Sequence, residues 1–191
     1  MKEILISALG LSGNVIDILA QAFGIVGLVI IVASFQCKKN KNFFLMQGIG
    51  SFMFFINFIM INAYGGAFFN LANLVRGLLF SKDTGKKWKL AVVEAIYTAC
   101  FAFSIFLDSR TEQIILVAIP FIALVVMSVF MWSGNSRHIR YSQIAYMSPA
   151  WIIHNIFNFS LGGLLCESFN MVSSIIYLIR LKREKKAVEA E

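Results

Sequence analysis

Acidic residues are scarce in this chain: ten Asp and Glu stand against seventeen Lys and Arg, and histidine occurs only twice in 191 residues. The few acids are dispersed and form no metal-ligand cluster in the sequence, and neither HExxH nor GxSxG occurs. An enzyme is therefore not expected. A Walker A motif and a Rossmann glycine fingerprint are also missing, so nothing supports ATP-driven or dinucleotide chemistry, and no cofactor is expected. The three cysteines, Cys37, Cys100 and Cys166, lie far apart without a CxxC pair. That spacing argues against a zinc site or a disulfide framework and points to reduced, structural thiols. Two prolines, Pro120 and Pro149, both fall inside apolar runs, where the missing N–H permits a kink and a hinge. The last apolar run has no core lysine for a retinal Schiff base, since Lys182 lies beyond its end.

Apolar residues, by contrast, are abundant. They make up 59% of the chain and the mean hydropathy is +0.76, well above the roughly 45–50% apolar content of soluble domains. The composition is that of a chain in lipid. A spanning helix needs roughly 20 apolar residues, so six to eight spans would use nearly all of the length. Apolar runs predict seven, an all-α polytopic membrane protein with helices over 15–36, 43–63, 66–80, 90–107, 113–132, 139–159 and 162–179. The third and seventh are short and polar-bearing, and glycine-containing turns join them to their predecessors.

With seven spans, Lys38, Lys39, Lys41, Lys82, Lys86, Lys87, Lys89, Arg137, Arg140 and the basic C-terminal cluster all fall on one side. Cytoplasmic loops are enriched in Lys and Arg, which predicts an outside N-terminus and a cytoplasmic C-terminus. The net charge of +7 then reflects contact with anionic headgroups, not nucleic acid. Residues 1–14 read as an interfacial stub without a cleavage site, and 182–191 as a charged tail that frays.

Residues 51–76 and 148–173 correspond at a constant offset of 97, pairing Ser51 with Ser148, Phe54 with Trp151, Asn57 with His154 and Asn73 with Asn170. The chain is thus expected to hold a first triple-helix bundle over 15–81, a linking fourth helix with its flanking loops over 82–110, and a second bundle over 111–181. Four steps from the first helix to the fifth preserve direction, so the copies are parallel. Three-residue steps keep side chains on one side of a helix. Each copy therefore has two polar stripes: Ser51, Phe54, Asn57 with Asn70, Asn73, Arg76, and Ser148, Trp151, His154 with Glu167, Asn170, Ser173.

Lipid cannot satisfy these groups, so they should face protein or a watery cavity. Interhelical hydrogen bonding suffices to explain Ser51 and Ser148. Asn73 and Asn170, at equivalent mid-helix positions, point to a solute site walled by Phe54 and Trp151 with Asn57 and His154. Arg76 has two readings, snorkelling to the basic end or lining the site. Glu167 has three: solvated near the outer face, paired with Arg76, or binding a proton. His154 either packs or accepts a proton, and Asp17 and Glu94 read as membrane-interface residues.

The segment Ser34-Phe35-Gln36, the basic turn at 38–41, Tyr64-Gly65 and Asn73 together resemble the SWEET, SemiSWEET and PQ-loop transporter superfamily, with Phe35 where that pattern has proline. The resemblance implies a three-plus-one-plus-three fold, an outside N-terminus, alternating access around a central pocket, and substrate contact through Asn73 and Asn170. Gln36 would match the glutamine of the PQ element and, with Pro120 and Pro149, is a candidate gating hinge. More narrowly, Phe43-Phe44-Leu45-Met46-Gln47 through Asn62-Ala63-Tyr64-Gly65-Gly66 is similar to the YgjV family of bacterial inner-membrane proteins. The opposite charges of Arg76 and Glu167 suit a charged, zwitterionic or proton-coupled solute at least as well as a neutral sugar. The expected function is a transporter or facilitator of a small polar solute; the alternative is a receptor or scaffold on the same fold, and a homo-oligomer stays open.

Overall fold

The polarity of the molecule is inverted. Val15, Val29, Phe106, Ile122 and Phe157 are each more than half exposed, while Gln21, Asn57, Asn73, Arg76, His154 and Asn170 are buried. In water such an exterior would aggregate; in a bilayer it is the lipid-facing surface, and the polar groups go inside because hydrocarbon offers them no partners. The computed structural model describes residues 15–34, 37, 40–83, 85–107 and 111–188. The N-terminal stub, Gln36, Lys38 and Lys39 lie outside the described residues.

All described regular structure is helical: α1 (Val15–Ser34), α2 (Asn40–Met60), α3 (Tyr64–Lys82), α4 (Lys87–Leu107), α5 (Thr111–Ser133), α6 (Ser136–Ser142), a π-helical turn (Gln143–Met147), α7 (Ser148–Phe157) and α8 (Leu161–Val188). The run from α6 through the π turn to α7 takes the place of the single sixth helix the sequence predicts. Proline at the start of α7 lacks a donor, and the wider turn just before it accommodates that loss. Five helices are long and apolar enough to cross a membrane: α1, α2, α4, α5 and α8. The 19 residues of α3 span about 28 Å at 1.5 Å per residue, and it falls outside that group because Asn70, Asn73 and Arg76 interrupt its apolar face. The eighth helix corrects the sequence reading in two ways. It is 28 residues long, not short, and it carries the charged segment as helix to Val188 instead of fraying at Lys182. Cations near a helix C-terminus complement the exposed carbonyls, which favours that extension.

Consecutive helices pack side by side, and α8 returns to pack on α1, so the bundle closes into a ring. The turns ending α2 and α7 are copies of each other. Ala63 N–H donates to Phe58 O at 2.9 Å and Ser160 N–H donates to Asn155 O at 3.0 Å, while Asn62 and Phe159 adopt positive φ of 58° and 52°. Both carry the left-handed residue and long-range bond of a Schellman closure, and the left-handed residues are not the glycines that the sequence suggests. The glycines serve close approach instead. A Cβ on Gly162 would lie 2.5 Å from the Gly24 carbonyl carbon, so α8 and α1 touch backbone to backbone.

At the opposite end, the buried Lys89 ammonium closes α3. It donates to Leu79 O at 2.8 Å, to Asp83 O at 3.1 Å and to the Asp83 carboxylate, while Lys86 reaches the other Asp83 oxygen at 3.0 Å. Hydrogen bonding from Lys89, then from Lys86, holds the Asp83 carboxyl below its ordinary value. A depressed carboxylate stabilises the fold above the unfolded pKa of about 3.9 and loses that contribution as pH falls through the folded value. The melting temperature of detergent-purified protein should therefore exceed that of Asp83→Asn at pH 7, with the gap closing below about pH 4.

Candidate functional site

The polar stripes of α3 and α8 face the ring interior, where they meet α2, α5 and the α6–α7 run around one cavity of about 70 Å³. A water needs about 10–15 Å³ on this measure, so the space holds on the order of five waters and is narrow. Its lining obeys the internal repeat. Phe54 and Trp151, Phe58 and Asn155, Asn70 and Glu167, and Asn73 and Asn170 all line it, each pair 97 residues apart. Ile31 and Met127, Phe43 and Ile139, and Gln47 and Gln143 also line it, but 96 apart. The π turn explains the change of offset. Gln47 and Ser51 are four residues apart, Gln143 and Ser148 five, and the extra residue is absorbed in the wider turn.

Six of the sequence-predicted residues come together here: Asn73, Asn170, Phe54, Trp151, Arg76 and Glu167. Tyr97 on α4 donates its hydroxyl to Asn73 Oδ1 at 2.5 Å, so this amide presents its NH2 group elsewhere. Asn170 is oriented the other way. Its Nδ2 faces Glu167 Oε1 at 3.4 Å and Cys166 Sγ at 3.7 Å, and its Oδ1 is buried without a partner. Glu167 neither pairs with Arg76 nor sits in solvent. Its Oε2 accepts from Ser148 Oγ at 2.8 Å and Gln143 Nε2 at 3.1 Å, so the carboxylate is held by neutral donors of its own repeat.

Arg76 is 7% exposed, which rules out snorkelling to the surface. Its guanidinium carbon lies 6.0 Å from the Tyr97 ring centre, and Nη1 has no hydrogen-bond partner. Glu94 on α4 differs from its expected interfacial placement: both carboxylate oxygens are buried without a hydrogen bond, and the Arg76 charge acts on them.

Asn57 and His154 do not line the cavity. Asn57 donates to Ala20 O at 2.7 Å and accepts from Ser160 Oγ at 2.9 Å, tying α2 to α1 and to the turn before α8. Gln21 reinforces that seam, donating to Phe159 O and accepting from Leu161 N–H, each at 3.2 Å. His154 packs edge-on against Phe58 and Trp151, with ring centres 5.4 and 5.2 Å away. These two positions lie toward the end bearing the paired turns, and they seal it. Of the candidate hinges, Pro120 is buried within α5 and Pro149 follows the π turn; neither lines the cavity.

The sequence reading missed Gln47, Gln143, Asn155 and Arg140 among the polar lining residues. The glutamines become visible as a pair when the offset is allowed to slip by one before Ser148. Asn155 has no such signal, because its equivalent is the apolar Phe58.

Together these features define a polytopic α-helical membrane protein whose repeated elements enclose a small polar cavity. The chain belongs to the Imp-YgjV family of bacterial inner membrane proteins, which matches residues 18–185. No curated protein and no solved structure matches it.

Proposed function

We propose that the protein is a transporter or facilitator that moves a small polar solute across the bacterial inner membrane. The observation that carries this reading is the lining of one cavity by repeat-equivalent residues, with buried, unpartnered polar atoms on Arg76, Asn155 and Asn170. A buried polar atom left without a partner costs about 1–3 kcal/mol, and at these three atoms the partner has to come from the contents of the cavity. A solute that bonds these atoms recovers part of that cost on binding.

The proposed mechanism is alternating access between two parallel triple-helix units joined by α4, a three-plus-one-plus-three arrangement of the SWEET type. The seam at the turn end, made by Asn57, Ser160, Gln21 and the Gly24–Gly162 contact, is closed. Toward the basic end the cavity lining includes Phe43, Ile139 and the partly exposed Arg140. Under the positive-inside rule that end is cytoplasmic and the termini lie outside (N) and inside (C), so the described state faces inward. Rocking one unit against the other opens the seam and closes the basic end.

The test is uptake into proteoliposomes. Saturable uptake that falls at least tenfold in Asn73→Ala and Asn170→Ala variants, each still monodisperse in detergent, is the expected result. Solute binding with no flux in any orientation would support a receptor or scaffold instead.

A further inference from the structure

We infer that the solute is a small zwitterion with N–H donors on its cationic end, of the glycine type; this rests on the transport reading and narrows it. The argument comes from how the two repeats divide the hydrogen-bonding capacity of the cavity. The first repeat's unpartnered buried atom on the lining is a donor. Arg76 presents the unpartnered Nη1, and Asn73, with Oδ1 taken by Tyr97, can offer only its NH2 group. The second repeat's unpartnered buried atoms are acceptors, while its Arg140 guanidinium lies at the partly exposed basic end of the lining. Asn155 Oδ1 and Asn170 Oδ1 are both buried without partners, and Glu167 adds a carboxylate.

Burial sharpens this division. Arg76, Asn155 and Asn170 are 7, 2 and 6% exposed, and all three line the same narrow space. Guanidinium and carboxylate sit on opposite repeats without an ion pair between them, each in its own setting. A ligand that is anionic at one end and an N–H-bearing cation at the other matches both walls at once. A simple anion would leave the acceptor wall unmet and face Glu167; a simple cation would meet Arg76; a polyol would bring no charge to either wall. Each mismatch is costly because a site built from buried polar groups penalises a ligand that fails to pair them. The cavity volume of about 70 Å³ limits the fit to the smallest members of the class.

The experiment compares five probes on the full chain in proteoliposomes and, in detergent, by thermal shift: glycine, glycolate, ethanolamine and glycerol, which are of similar size, and the bulkier glycine betaine. Glycine should be taken up saturably and raise the melting temperature, with the other four at least tenfold weaker. Betaine is a zwitterion with no N–H for the acceptor wall and three added methyl groups, so its exclusion tests the N–H requirement and the size limit together. In Arg76→Gln the order should tilt from glycine toward ethanolamine, and in Glu167→Gln toward glycolate, a change of preference that loss of folding cannot mimic. Uptake of glycerol, or of betaine, equal to that of glycine in the unaltered chain would overturn the zwitterion assignment and leave transport standing. Failure of all five to cross would overturn the zwitterion assignment; the transport reading covers other small polar solutes and is tested separately by the asparagine variants.

Discussion

Gly162→Ala is expected to loosen the molecule more than any other single methyl addition at its helix contacts, lowering stability by about 1–3 kcal/mol. The added Cβ would meet three Gly24 backbone atoms, the carbonyl carbon at 2.5 Å, Cα at 2.7 Å and the oxygen at 2.8 Å. A backbone cannot rotate out of the way as a side chain can, so α1 has to retreat from α8. That retreat would also lengthen the Gln21 bonds to Phe159 and Leu161, which cross the same seam. Gly48→Ala is the matched control: its Cβ would approach Leu74 O at 3.3 Å, a contact that a few tenths of an ångström relieves. Thermal denaturation in detergent should show a clear fall for Gly162→Ala and a smaller one for Gly48→Ala. Equal melting temperatures would mean that the glycine contact contributes nothing to closure.

Most of the polar lining of the cavity was legible in the sequence because lipid makes polar residues conspicuous. Asn73, Asn170, Arg76 and Glu167 stand out among apolar neighbours, and the offset of 97 ties them together. The same argument misplaced Asn57 and His154, since it shows that a polar group faces protein without showing whether that protein is a site or a seam. Asn57 is spent on Ala20 and Ser160, and His154 on the rings of Phe58 and Trp151. The π turn hid the first half of the repeat by adding one residue, which put Gln47 and Gln143 out of step. The ring closure through α1 and α8 was not legible at all, because it depends on a missing side chain at Gly24 and Gly162, not on a polar or apolar signal.

The seam also explains how the repeats could work as a pair. Asn57 belongs to the first copy and Ser160 to the second, and their 2.9 Å hydrogen bond closes the turn end above the cavity. Neither residue touches the cavity, so joining them leaves the cavity-lining groups in place. If the copies move against each other, this contact must break once in every cycle. The decisive measurement is proteoliposome uptake by an Asn57→Cys/Ser160→Cys chain, with Cys37, Cys100 and Cys166 replaced by serine or alanine, before and after bridging by a short bifunctional thiol reagent. Uptake should fall to background on bridging and return on reduction, while solute binding persists; undiminished uptake through fully bridged protein would contradict alternating access between the two halves.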